Sequence, residues 1–156
     1  MTPKFRVAFY PGSFNPFTRG HQSIVERTLK FADKIVIAIG VNRDKPHDDA
    51  RANLADITKL YAGDSRVKAI LYTGLTVEAA KAEGADFIIR GIRGTADYEY
   101  ERTLAETNLQ ISGIETLLMP TLPELSNVSS SMVRELASYG YDVSRFLPGQ
   151  PDAETK

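Results

Sequence analysis

One histidine, one lysine, a pair of arginines and a run of serines carry the chemistry legible in this chain. Thr18-Arg19-Gly20-His21 follows the apolar run Phe5–Phe9 and the loop Pro11-Gly12-Ser13-Phe14-Asn15-Pro16. The pattern sets His21 at the mouth of a helix. Backbone N–H groups and the positive end of the helix dipole there favour an anion such as a nucleotide phosphate. An imidazole in that place can hydrogen-bond an equatorial phosphoryl oxygen as charge moves onto it in a transition state. The plainer reading is a histidine that only caps or packs the helix. Gly20 removes side-chain bulk where a nucleotide must approach. Near the C-terminus, Ser129-Ser130-Ser131-Met132-Val133-Arg134 opens another helix. Serine is a favoured N-cap, and three hydroxyls beside free N–H groups also make an anion site. Together the two elements point to nucleotidyl transfer.

Other residues join them by position. Ser13 and Phe14 sit in the turn after the first apolar run, where Ser13 offers a hydroxyl and a backbone N–H to phosphate, or serves the turn alone. Lys45 lies in Asn42-Arg43-Asp44-Lys45-Pro46, a charged loop after the second run. Its ammonium suits phosphate neutralisation if that loop neighbours the first. Arg90-Gly91-Ile92-Arg93-Gly94 puts two guanidinium groups directly after an apolar strand, and arginine contacts phosphate bidentately. Asp97-Tyr98-Glu99-Tyr100-Glu101 begins a long helix, where acidic residues have an ordinary explanation in the helix dipole.

These groups need a scaffold that gathers them. The chain has 156 residues, of which 42% are hydrophobic, enough for one domain over 1–156 with a substantial core. A net charge of −1 implies no non-specific attraction to nucleic acid or an anionic membrane. The absence of cysteine excludes disulfides, thiolate metal sites and cysteine nucleophiles. No signal-like segment opens the chain, and no apolar run nears the ~20 residues that span a bilayer; a cytoplasmic location is expected. Strands are predicted at Phe5–Phe9, Lys34–Gly40, Val67–Tyr72, Phe87–Ile89 and Glu115–Met119. Helices are predicted at Gln22–Phe31, Ala50–Ala62, Thr76–Glu83, Tyr98–Ile111 and Ser131–Tyr139, with Thr76 as an N-cap. This alternation implies an α/β, Rossmann-like fold, a five-stranded parallel sheet with helices on both faces. Such sheets bind ligands at the C-terminal strand ends, so the loops after strands one, two, four and five can converge on one site. The polar tail, 149–156, is expected to fray.

The T-x-G-H and S-S-S-x-x-R elements resemble the nucleotidyltransferase superfamily. Pro11–Pro16, Arg90–Arg93 and Asp97–Glu101 narrow the resemblance to the bacterial phosphopantetheine adenylyltransferases, over about Phe5 to Pro148. The resemblance implies that ATP and 4′-phosphopantetheine react to give dephospho-coenzyme A and pyrophosphate, by in-line attack without a covalent intermediate. It implies His21 as transition-state stabiliser, with Lys45 and Arg93 as further catalytic residues. It implies Ser13, Lys45, Thr76 and Arg90 at phosphopantetheine. For ATP it implies Ser13, Phe14, His21, Gly91, Ile92, Arg93, Glu101 and the run Leu125, Ser126, Asn127, Val128, Ser129, Ser130 and Ser131. Mg²⁺ is expected on the triphosphate, held by nucleotide oxygens and water with no protein metal site. A homohexamer built as a dimer of trimers and inhibition by coenzyme A are also implied. The chain departs from the family in having Asn15 where relatives usually have Asp, and in lacking aromatics between Thr121 and Asn127.

Three other readings are open to the same residues. A related enzyme would adenylylate nicotinamide mononucleotide or cytidylylate glycerol 3-phosphate, and Arg90–Arg93 with Asp97–Glu101 speak against it. A nucleotide-binding regulatory module without turnover would have little use for His21, Lys45, Arg90 and Arg93 together. A class I aminoacyl-tRNA synthetase fragment shares the histidine motif, but this chain has no room for an anticodon domain and no basic surface.

Overall fold

The computed structural model describes residues 4–44 and 48–149. Five apolar runs form the strands β1 (Val7–Gly12), β2 (Lys34–Gly40), β3 (Val67–Tyr72), β4 (Phe87–Ile92) and β5 (Glu115–Pro120). The helices are α1 (Arg19–Thr28), α2 (Asp48–Leu60), α3 (Thr76–Ala82), α4 (Thr95–Ser112) and α5 (Ser130–Ser138). The strands make one sheet in the order β3-β2-β1-β4-β5, and every pairing is parallel. The expected Rossmann-like architecture is therefore present.

Strand alternation explains why helices cover both faces. Ala8, Tyr10, Ile35, Ile37, Ile39 and Ile89 join Ile24 and Val25 of α1 and Ile57 of α2 in one buried cluster. Their sequence neighbours Phe9, Val36, Ala38 and Ile88 join Val77 and Ala80 of α3 in the other. Successive side chains in a strand point to opposite faces, so β2, with Ile35 to Ile39 all buried, must read as continuously apolar. Each fully buried Ile or Val among them contributes about 1.5–3 kcal/mol of transfer free energy.

The sheet opens where the ligand crevice of such folds is expected. All six residues of β1 pair with β2, but only Ala8 and Phe9 pair with β4. Beyond them β1 and β4 part at the point where strand order reverses. β1 was expected to stop before Pro11 and instead runs through Gly12. Proline lacks an N–H, but it stands where β4 pairing has already ended, so its missing donor removes no bond on that side. β4 likewise runs past Ile89 to Ile92, because β5 pairs with it as far as Pro120.

Helix starts shift for capping reasons. Thr18 caps α1 with a reciprocal box to His21, so the helix begins at Arg19. Gly94 precedes α4, which starts at Thr95. Thr76 is the first residue of α3 and not its cap, because its hydroxyl pairs with Tyr72 Oη at 3.0 Å. Gly149, where the tail was expected to begin fraying, is held by the Gln22 amide at 3.1 Å; the rest of that tail lies outside the described residues. Among the described residues no helix is long and apolar enough to cross a membrane.

The turn after β1 is tightly packed. A Cβ on Gly12 would stand 3.0 Å from the tip of the Phe14 ring. Phe14, 2% exposed with φ of +47°, packs against Tyr10 and Phe17. Gly12→Ala is predicted to lower stability by about 1–3 kcal/mol through overpacking. Urea unfolding checks this, and an unchanged midpoint would contradict the packing described.

Candidate active site

A cavity of about 360 Å³ fills the crevice between β1 and β4. The end of β1 and its loop bring Ser13 and Phe14 to it, α1 brings Gly20 and His21, and β4 brings Arg90 and Gly91. Arg93, Asp97 and Glu101 close one side, and Val128, Ser129, Ser130, Ser131 and Arg134 close another. Residues separated by more than a hundred positions thus face one hollow.

His21 both caps its helix and faces the cavity. Its Nδ1 accepts the Thr18 backbone N–H at 2.9 Å, and its own N–H donates to Thr18 Oγ1 at 3.4 Å. With Nδ1 accepting, the hydrogen-bond network assigns the ring proton to Nε2. Burial first, then the Arg90 and Arg93 charges, lower the imidazole pKa from 6.5 to about 4. At neutral pH the ring is therefore an uncharged N–H donor. The Phe14 ring meets it edge-on at 4.9 Å between centroids, and Phe17 lies at 5.3 Å, fixing its plane. Phe14 itself serves as that support: its ring belongs to the core.

Arg90 is locked in place. Its Nε and Nη2 donate to the two oxygens of Glu101 at 2.9 and 2.6 Å, and its Nη1 donates to the Pro11 carbonyl. Glu101, 5% exposed, sits two turns inside α4, facing the sheet. Arg93 makes a second pair, with Asp97, which also accepts the Arg93 backbone N–H at 3.0 Å. Burial raises the Asp97 pKa, but the bonds from Arg93 outweigh it, and the carboxyl ends below its ordinary value. Both arginines of the strand end thus carry a carboxylate partner. These two pairs balance each other's charge, and the remaining positive character of the crevice comes from the N-termini of α1 and α5 and from Arg134. A Cβ on Gly91 would meet Ile24 of α1 at 3.4 Å, an ordinary contact, so packing alone does not demand glycine there.

The serine run does two jobs. Ser129 caps α5, accepting the Met132 N–H at 3.1 Å, and Ser130 donates to the Pro16 carbonyl at 2.8 Å. Arg134 Nη1 donates to the Asn15 carbonyl. These bonds tie α5 to the turn that leads into α1, so the two helix N-termini open on one cavity.

A second cavity, of about 170 Å³, lies on the other side of Arg90, between α4 and the sheet. Pro11, Gly12 and Arg90 line both cavities. Thr76 lines this second one, with Tyr72, Ile88, Leu104, Asn108 and Thr116. Ile92, Leu125, Ser126 and Asn127 line neither cavity: Ile92 ends β4, and Leu125 closes a 3₁₀ turn whose carbonyl at Pro123 accepts the Ser126 hydroxyl. Lys45 lies outside the described residues. Sequence reasoning missed Asp97 as the partner of Arg93 and missed the second cavity. The spacing of Asp97 and Glu101, one helical turn apart behind two arginines, held the signal for both ion pairs.

The lowered histidine pKa has a stability consequence. The unfolded chain protonates His21 as pH falls below about 6.5, whereas the folded chain resists until about 4. The contribution is present above the higher value and lost across that window. Between about pH 7 and about pH 4.5, the wild-type protein should lose about 2 kcal/mol more stability than His21→Asn. Equal losses in chemical denaturation would contradict the buried, neutral imidazole.

The cytidylyltransferase-like family matches residues 9–136 of this chain. A phosphopantetheine adenylyltransferase of Phocaeicola vulgatus is 49% identical over 146 residues, covering 92% of this chain and 95% of its own. Another, from Porphyromonas gingivalis, is 48% identical over 146 residues, covering 93% and 95%. Among solved structures, a Vibrio parahaemolyticus protein provisionally assigned as a nicotinate-nucleotide adenylyltransferase superposes with a TM-score of 0.63, at 21% identity over 94% of this chain and 95% of that one. That likeness concerns the fold. With nearly half its residues shared along almost the full length of its bacterial relatives, this chain belongs to the phosphopantetheine adenylyltransferase family.

Proposed function

We propose that the protein transfers the adenylyl group of ATP to 4′-phosphopantetheine, releasing dephospho-coenzyme A and pyrophosphate. The observation that carries this reading is the pair of cavities meeting at Arg90. A nucleotidyl transfer needs two phosphate-bearing substrates whose phosphates meet while the remainders diverge. The larger hollow, beneath two helix N-termini, suits the triphosphate and nucleoside. The smaller one suits the acceptor's chain.

In this reading an oxygen of the acceptor phosphate bonds to the α-phosphorus, and the bond from that phosphorus to the bridging oxygen breaks as pyrophosphate leaves. The acceptor phosphate is already anionic, so no general base is required. His21 donates from Nε2 to an α-phosphate oxygen, and its neutral state means that it stabilises by hydrogen bonding and not by charge. Arg90 orients the acceptor phosphate with Ser13, Thr76 and Lys45. Arg93, Gly91 and Ser129–Ser131 hold the donor. Glu101 acts on ATP chiefly through Arg90, and Ile92 with Leu125–Asn127 would meet the adenosine at the rim. ATP enters as its Mg²⁺ complex. Both cavity carboxylates are occupied by arginines, and phosphate oxygens and water would carry the ion.

The same reading includes a cytoplasmic homohexamer, a dimer of trimers. Exposed Tyr100 and Ile111 on α4 and Leu117 on the edge strand β5 are surfaces that such contacts would cover. Coenzyme A shares the product's framework, so it would compete across both cavities as an inhibitor.

Pyrophosphate release from ATP should require 4′-phosphopantetheine, and nicotinamide mononucleotide should not replace it. In His21→Ala, kcat should fall on the order of 10²–10³-fold while the ATP dissociation constant changes less than about threefold, because the contact strengthens in the transition state. ATP binding without pyrophosphate release with any acceptor would overturn the assignment. Equal losses in kcat and ATP affinity would overturn the role of His21.

A further inference from the structure

Thr116 Oγ1 is buried with no hydrogen-bond partner, one of two such side-chain atoms among the described residues. It stands in β5 directly opposite Ile88 of β4, and both residues line the smaller cavity. A hydroxyl in such a place costs stability, because it has lost water and gained nothing in return. The neighbouring hydroxyls of Tyr72 and Thr76 satisfy each other at 3.0 Å, and Arg90 is held by Glu101 and Pro11. Valine has the same shape and is favoured in strands. Packing alone therefore gives no reason for threonine here.

We infer that Thr116 is a specificity-determining residue for the acceptor, its hydroxyl hydrogen-bonding an amide of the acceptor's chain. This rests on the reading of the smaller cavity as the acceptor's place. The cavity sets the polar side chains of Tyr72, Thr76, Arg90, Asn108 and Thr116 among the apolar Ile88, Leu104 and Ala105, and a flexible chain carrying amides needs a small number of polar contacts set in such a wall. One 120° step in χ1 carries Oγ1 into the place Cγ2 held, so the direction in which the hydroxyl is presented can change without backbone movement. A site that hydrogen-bonds a polar group also rejects analogues lacking it, since the buried hydroxyl then stays unpaired. Thr116 touches no reacting atom, so its effect falls on acceptor binding and not on the chemical step.

The test pairs stability with acceptor use. Thr116→Val should raise the melting temperature of the ligand-free protein, yet raise KM for 4′-phosphopantetheine about 3- to 10-fold, within the range of one hydrogen bond to a neutral group. KM for ATP and kcat at saturating acceptor should stay within about twofold. Thr116→Ser should retain wild-type acceptor KM. With a phosphate-ester acceptor whose alkyl chain carries no amide, wild type and Thr116→Val should perform alike, and this comparison stands even if the melting temperatures move unexpectedly. An unchanged 4′-phosphopantetheine KM in Thr116→Val, or an equal loss with the amide-free acceptor, overturns the inference and leaves the adenylyl-transfer reading intact. Failure of the wild-type protein to use 4′-phosphopantetheine at all would instead overturn that underlying reading.

Discussion

The Arg90 guanidinium stands where β1 and β4 cease to pair, and the geometry of the site depends on its being held there. Three of its five N–H bonds are committed, two to Glu101 and one to the Pro11 carbonyl. The pair is partly buried, with side-chain exposures of 29% for Arg90 and 7% for Glu101. Removing one partner of such a pair leaves an uncompensated charge, a loss of about 3–5 kcal/mol when burial is complete. Glu101 is therefore best understood as the group that makes a semi-buried cation tolerable, and α4 as the element that delivers it. Two N–H bonds are left over, and the guanidinium so held lines both cavities.

The histidine follows the same logic from the opposite direction. Arg90 and Arg93 help to hold its pKa low, and the Thr18 backbone N–H occupies Nδ1. A neutral ring with one oriented N–H costs little reorganisation when charge develops beside it. Phe14, in the left-handed region and wedged between Gly12 and His21, connects the backbone of the β1 turn to the orientation of that ring. Local strain in this turn is offset by the aromatic packing of Tyr10, Phe17 and His21 around it.

Much of this was legible in the chain. β2 and β3 begin and end where predicted, because Ile35–Gly40 pair residue for residue with Val67–Tyr72. β1 and β4 extend beyond prediction because Pro11, Arg90 and Gly91 look like loop residues, yet they remain in the sheet at its parting edge. The grouping of Ser13, His21, Arg90 and Ser129–Ser131 followed from strand order, since a doubly wound sheet gathers its C-terminal loops. The state of His21 was not legible. Whether a helix-start histidine caps or binds looked like a choice, and here Nδ1 does the first while Nε2 is left for the second. The smaller cavity was hidden because β1, β3, α3, β4, α4 and β5 each contribute only one to three of its lining residues, and no local pattern marks a void between elements.

In the proposed reaction, donor and acceptor occupy different cavities and meet at Arg90. A crystal structure with a non-reactive ATP analogue and 4′-phosphopantetheine tests it most directly. An α-phosphate oxygen is expected within about 3 Å of His21 Nε2, and the acceptor phosphate on Arg90 with its chain in the smaller hollow. Both molecules seated on one side of Arg90, or an α-phosphate remote from His21, would contradict it.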